Sequence, residues 1–462
     1  MAASKTQPHT VQQPSRAAAK AQATETRPAP TTRLPLGYRA DDGGVPVGFT
    51  NTAPATPDRK IEAVDLEAGT IVVAPTGAGK STSVSLPWAL LHEGSFLALD
   101  PKGETAKATA AYRAARGNAV GVLDPFVQLD EMPTGARAIR LNPLDAVTGA
   151  PEDEAADVAR EIAAILAPVD NKRTDRFWDE ASQTVLSSFV LYVARYAPEE
   201  NRNLGTIVDI VFSDVSAMAI VLAAMTRCGP AYGGTVSGGA NLIASAPDRT
   251  RDSILTTLRI AVAWMAAPGM RRHLSNANLS LNAVRDGAVG NRPLSLYCIL
   301  PIEKLESHAA LLRLWSMVML NAVLKRREPP GKPTLFLAEE AAALGPLPAL
   351  KTAFCQLRGF GLSPVLIYQD PAQLRAAWPE DHTLFRANAD ALMAFGARHT
   401  ASALELADFV GWTGDIRHLA ANEAVVSTRC GVRKLRRLSA VHDGWLADKV
   451  RGTERGSQKE RR

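Results

Sequence analysis

Residues 70–82 read TIVVAPTGAGKST, and Lys80-Ser81-Thr82 close a glycine-rich turn that follows a β-branched apolar run. This order of types suits phosphate. A strand stops, a loop turns several backbone N–H groups inward, and a helix begins with its positive end on the same anion. Pro75, Thr76, Gly77, Ala78, Gly79, Lys80, Ser81 and Thr82 form the candidate nucleotide cradle. Gly77 and Gly79 permit the unusual φ values and the close backbone approach. Lys80 is placed to reach the β- and γ-phosphates of ATP, and the Ser81 hydroxyl to bind Mg²⁺. The pattern G-x-x-x-x-G-K-[ST] opens here on Ala74, a small residue in place of glycine.

A phosphate loop needs a carboxylate on a neighbouring buried strand to hold the metal and its waters, then one to polarise the attacking water. TLFLAEE at 334–340 fits, with Glu339 as the metal-side carboxylate and Glu340 as the base. Two adjacent acids after a strand also describe a helix start favoured by the dipole. SPVLIYQD at 363–370 ends in Gln369, suited to sensing the γ-phosphate or orienting water. Arg358, before Gly359-Phe360-Gly361, could project across a subunit boundary onto the transferring phosphoryl group, or be a solvated surface arginine.

The elements that must position these residues are short apolar segments alternating with helical stretches, which points to an α/β fold with a mostly parallel central sheet. Strands are expected at 70–74, 95–99, 120–123, 294–300, 334–338, 363–368 and 391–396. Several are almost wholly apolar, as strands buried on both faces should be. The gap between the third and fourth has helical spacing and no convincing strand, so an inserted all-α domain is expected over 151–290. The aromatics Phe177, Trp178 and Phe189 are read as its core, and CGPAYGGTVSGGAN at 228–241 as a surface loop. The nucleotide-binding domain is then split into 59–150 and 291–432.

Composition bounds the rest. The chain has 462 residues, 46% hydrophobic, and can bury a substantial core. Cys228, Cys298, Cys355 and Cys430 stand far apart without a C-x-x-C pair, and the histidines lack metal-site spacing, which indicates a reducing compartment and no zinc site. Residues 1–40 hold six basic residues and one acid (+5), and 433–462 hold ten basic and four acidic (+6), so with a net +5 the body at 41–432 carries −6 and is mildly acidic between two basic ends. Eight prolines within 1–58 argue for a disordered Pro/Ala-rich tail, and 433–462 reads as a basic C-terminal tail. Basic ends suit nucleic acid or anionic lipid, and equally a solvated surface. No stretch has the roughly 18 uninterrupted apolar residues of a membrane span; the nearest, 207–226, contains Asp209 and Asp214.

Beyond the phosphate loop stand LALDPKGE (97–104), LDPF (123–126), LNPLD (141–145), EEAAALGPLPAL (339–350), LRGFGLSPVLIYQDPAQL (357–374) and FRANADALMAFGARHTASALELADFVG (385–411). In order and spacing these resemble the TraG/TraD-like type IV coupling proteins, hexameric DNA-pumping ATPases of bacterial conjugation that share the RecA-like fold of FtsK and HerA motors. The resemblance covers roughly residues 68–415. It implies a RecA-like P-loop NTPase, with Glu340 as catalytic base, Arg358 as arginine finger, Gln369 as sensor, and ATP and Mg²⁺ as cofactors. Asp100 and Lys102 fall in the family-typical DPKGE segment without a role that their types reveal. Glu339 stands where the family usually has aspartate, and family members commonly start with transmembrane helices where this chain has its Pro/Ala-rich segment. The implied protein is a cytoplasmic DNA translocase feeding a type IV secretion channel, peripheral to the inner membrane through a separate anchor protein or the relaxosome. Its implied partners are DNA, a relaxase and further copies of itself in a hexamer. A soluble FtsK/HerA-like DNA pump and an ATP-dependent substrate-recruiting adaptor are the competing readings.

Overall fold

The computed structural model describes residues 32–39, 61–66, 69–170, 176–275 and 277–459. Among these are thirteen strands: β1 (Thr32–Arg39), β2 (Ile61–Leu66), β3 (Gly69–Val73), β4 (Phe96–Leu99), β5 (Ala119–Leu123), β6 (Ala136–Ala138), β7 (Ala288–Val289), β8 (Arg292–Cys298), β9 (Thr334–Ala338), β10 (Leu362–Tyr368), β11 (Ala389–Phe395), β12 (Glu423–Thr428) and β13 (Gly431–Arg436). The sheet order is β2-β1-β13-β12-β11-β3-β10-β9-β4-β8-β5-β6, with β7 paired to β8. From β11 to β6 every pairing is parallel; the four from β11 out to β2 are antiparallel.

The central strands are buried throughout because both faces are covered. On one face Val72, Phe96, Ala98, Leu335, Leu337, Val365 and Ile367 pack with Trp88 and Ala106 of the helices that follow β3 and β4. On the other, Ile71, Val73, Leu97, Leu99, Phe336, Ala338 and Leu366 pack with the helix Leu305–Leu324. Each such Val, Leu, Ile or Phe side chain contributes about 1.5–3 kcal/mol by leaving water. All seven expected strands form, with ends shifted by up to two residues.

Between Glu152 and Asp286 the described residues form helices and turns without a strand. Their apolar residues, including Leu186, Phe189, Leu191 and Val193, continue the buried cluster of the Leu305–Leu324 side of the sheet. Two expectations fail here. Phe177 is 51% exposed, at the start of the helix Phe177–Tyr196, with its ring edge-on to the half-buried Trp178. Part of the glycine-rich 228–241 forms the helix Thr235–Ala244. Gly239 there replaces bulk: a Cβ would lie 1.9 Å from Ser188 Oγ, so its absence lets this helix touch Phe177–Tyr196.

The two ends also differ from the reading as tails. Residues 1–31 and 40–58 lie outside the described residues, but Thr32–Arg39 pairs with both β2 and β13. At the other end Gly431–Arg436 is a strand and Gly444–Lys459 a helix. The apolar stretch 207–226 is two helices, because Asp214 accepts from Ala217 N and starts the second. Among the described residues one helix, Ile302–Leu324, is long and apolar enough to cross a membrane, and 61% of its apolar window is buried inside the protein.

Candidate nucleotide site

Four adjacent strands end at one edge of the sheet in matching register. Val73 of β3 lies opposite Tyr368 of β10, Leu366 of β10 opposite Ala338 of β9, and Ala338 opposite Leu99 of β4. The chain therefore leaves the sheet side by side at the phosphate loop, Gln369, Glu339-Glu340 and Asp100. Ligands of open α/β sheets bind beyond this carboxyl edge.

The loop has the conformation its glycines permit. Gly77 and Gly79 take φ of 75° and 85°, and a Cβ at Gly77 would meet open space. Lys80 Nζ donates to Ala74 O at 3.0 Å, and Thr82 Oγ1 to Gly79 O at 3.1 Å. Ser81–Ser85 is wound as a π-turn before the α-helix Leu86–Leu91 begins. Burial lowers the Lys80 pKa; Glu340 pulls it back up, Lys102 adds to the lowering, and Glu339 opposes it. The exposed Lys102 of DPKGE thus stands within electrostatic reach of the loop.

Because β10 is interposed between β3 and β9, Gln369 bridges the two halves of the site. Thr76 Oγ1 donates to Gln369 Oε1 at 3.0 Å, and Gln369 Nε2 donates to Glu340 Oε2 at 3.3 Å. The Gln369 backbone N–H donates to Gln373 Oε1 at 2.9 Å, which anchors the bridge. Glu340 is half-buried and caps no helix with its side chain. Arg358 lies in the turn Leu357–Phe360 ahead of β10; its side chain is outside the described residues.

Glu339 is only 8% exposed and accepts from Thr105 Oγ1 at 2.5 Å. Beside it, Asp100 is fully buried. Its Oδ2 accepts from Ala106 N at 2.8 Å near the start of the helix Glu104–Ala115, and its Oδ1 has no partner. Burial raises the pKa of both carboxyls, and Glu339 raises that of Asp100 further. An orphaned carboxylate oxygen, a second carboxylate and the Ser81 hydroxyl at one sheet edge are hard oxygen donors, the chemistry Mg²⁺ takes. Asp100 and Thr105 acquire roles here that their sequence context did not reveal. So does Arg437, whose Nη1 donates to Ala78 O of the loop at 2.6 Å.

A family model described as "Type IV secretory system Conjugative DNA transfer" matches residues 48–407. The chain belongs to this family. It is 26% identical over 318 residues to the conjugal transfer protein TraG of Agrobacterium fabrum, covering 67% of this chain and 45% of that protein. To VirD4 of the same organism it is 26% identical over 299 residues, covering 63% and 41%. The chain thus spans less than half the length of these relatives. Among solved structures it is similar to the plasmid coupling protein TrwB in complex with a non-hydrolysable ATP analogue (TM-score 0.59, 16% identity, 80% of this chain and 85% of that one). It is also similar to TrwB with ADP and Mg²⁺ (TM-score 0.60, 14% identity, 88% and 95%). The fold is the RecA-like α/β fold of these structures, with its mostly parallel sheet and helical additions.

Proposed function

We propose that the chain is an ATP-hydrolysing DNA translocase that couples a DNA or relaxase substrate to a type IV secretion channel. The observation that carries this is the Thr76–Gln369–Glu340 hydrogen-bond chain, which joins a phosphate loop to a strand-terminal carboxylate within a member of the conjugative DNA transfer family. Backbone amides of the loop and Lys80 would hold the β- and γ-phosphates. Ser81 and Glu339, with Asp100 behind them, would hold Mg²⁺, which when bound neutralises charge developing on the phosphoryl oxygens. Glu340 would take the proton of the attacking water, oriented by Gln369. Arg358 would supply transition-state charge from the neighbouring protomer of a hexameric ring, or in cis. TrwB, whose fold this is, has been solved with an ATP analogue, a GTP analogue and ADP with Mg²⁺, which supports the nucleotide part of the reading.

The test is ATP turnover with and without single- and double-stranded DNA, alongside the oligomeric mass. The reading expects DNA-stimulated turnover by a ring-sized assembly. Turnover indifferent to both DNAs would sink the translocase. The burial of Glu339 against Thr105 favours one second reading, an adaptor that binds ATP, recruits substrate and moves nothing. Tight ATP binding without turnover would select it.

A further inference from the structure

The segment after β13 runs back over the phosphate loop and clasps it on two sides. Arg437 N donates to Asn422 O at 2.7 Å, and three residues on Ala440 N donates to Thr82 O at 2.9 Å. Leu438, Ala440 and Leu446 pack on Leu86 and Leu90 of the helix that follows the loop. The Arg437 guanidinium carbon lies 4.1 Å from the centroid of the Phe395 ring, at the end of β11. Nη1 donates to Ala78 O, Nη2 donates to Ala421 O, and the buried Nε has no partner.

Ala78 sits between the two left-handed glycines. A trans peptide is planar, with its C=O and N–H pointing opposite ways. A donor that fixes the Ala78 carbonyl on one side therefore aims the Gly79 N–H to the other. Among the described residues Arg437 makes no salt bridge to a carboxylate. Burial lowers its pKa to about 10, which leaves it charged at neutral pH. A half-buried cation without an anion is unfavourable by itself and becomes favourable when an anion arrives within reach.

We propose that Arg437 is a positioning residue for the nucleotide triphosphate: it sets the Ala78–Gly79 peptide so that its amide faces the phosphates, and lends them an unneutralised positive charge. This rests on the phosphate-loop reading of residues 74–82. It makes the C-terminal segment part of the nucleotide site.

The experiment measures Kd for Mg·ATP, KM and kcat of the full chain as wild type, Arg437→Met, Arg437→Lys and Lys80→Ala, with the melting temperature of each without ligand. Arg437→Met keeps an apolar stem over Phe395 and is expected to raise Kd and KM about tenfold, with kcat within about threefold. Removing the charge should also flatten the dependence of Kd on salt. Arg437→Lys keeps the charge but not the planar fork that spans Ala78 and Ala421, so it should retain the salt dependence while still raising KM. A purely packing role would lower the melting temperature and leave KM and the salt slope alone; that result overturns the proposal, as does Arg437→Met binding ATP within twofold of wild type. If Arg437→Met does not fold, an Arg437→Lys protein with wild-type KM overturns it equally. Should wild type bind ATP no better than Lys80→Ala, the loop reading itself falls, and the role of Arg437 with it.

Discussion

Glu340→Gln separates binding from chemistry at this site. Glu340 stands one hydrogen bond from Gln369 and two from Thr76 of the loop. A glutamine has the same length and can accept from Gln369 through its carbonyl oxygen, so the bridge survives. The basic oxygen does not. A positioned general base contributes about 10²–10⁴-fold, so kcat should fall at least 100-fold, or about 2.7 kcal/mol in the barrier. Affinity should move the other way. Losing Glu340 removes the chief group that raises the Lys80 pKa against burial, but it also removes a charge that repels an incoming γ-phosphate, and the second effect is the larger. At roughly 6 Å and an effective dielectric constant near 20, such a repulsion is on the order of 3 kcal/mol before screening. ATP should therefore bind Glu340→Gln at least as tightly as wild type. Single-turnover hydrolysis of labelled ATP measures the first effect and equilibrium binding the second. A rate within tenfold of wild type would remove Glu340 from the role of base. A tenfold loss of affinity at unchanged rate would make it a structural anchor of the loop.

Three further outcomes follow from packing and charge. Arg113 is fully buried, with Nη1 donating to Ala89 O and His92 O, Nη2 to Gly94 O and Nε to Ser295 Oγ, each at 2.7 Å. Arg113→Met leaves these acceptors orphaned and should cost about 3–5 kcal/mol in denaturant unfolding; a loss below about 1 kcal/mol would refute that account. Gly239→Val drives side-chain atoms into Ser188 and should lower stability by about 1–3 kcal/mol, read as a drop in melting temperature with ATP affinity unchanged. Burial lowers the pKa of His92 to about 3 and of His273 to about 4, so the folded chain holds both neutral where the unfolded chain, near pKa 6.5, binds protons. The contribution of these two histidines is complete above pH 6.5 and falls by roughly 1.4 kcal/mol per pH unit each as pH drops towards 4, set against the opposite contribution of Asp100 and Glu339, whose raised pKa values favour protonated carboxyls in the fold; His92→Gln should make the acid loss shallower than in wild type, and an unchanged slope would assign the acid sensitivity elsewhere.

The parallel half of the sheet was legible because a strand buried on both faces leaves a plain mark, an apolar run of four to seven residues. β12 and β13 left no such mark. Arg433 and Lys434 of β13 are adjacent and exposed, and only Leu435 is fully buried, so the strand reads as a charged tail. Glycine misled in the opposite direction. In 228–241 its helix-breaking tendency suggested a loop, but Gly239 serves a close helix contact, a long-range effect that local propensity does not contain. Phe177 failed for a related reason: helical spacing says which residues share a face, not whether the first turn of the helix is covered.

At the site, residue types told which groups could act, and strand order decided which of them meet. Lys80, Glu339, Glu340 and Gln369 each follow from a strand ending in the right type of residue, yet a sequence does not say that β10 lies between β3 and β9. That order makes Gln369 the link between Thr76 on the loop and Glu340, where a bare list would leave it a glutamine at a strand end. It also sets β4 beside β9, and so brings Asp100 and Thr105, more than 230 residues away in sequence, against Glu339. The glutamate at 339 is thus held by Thr105, from the DPKGE side. The helix Glu104–Ala115, which carries Thr105 and whose amide at Ala106 bonds Asp100, therefore bears directly on Glu339 and Asp100, and on Glu340 only through its chain neighbour.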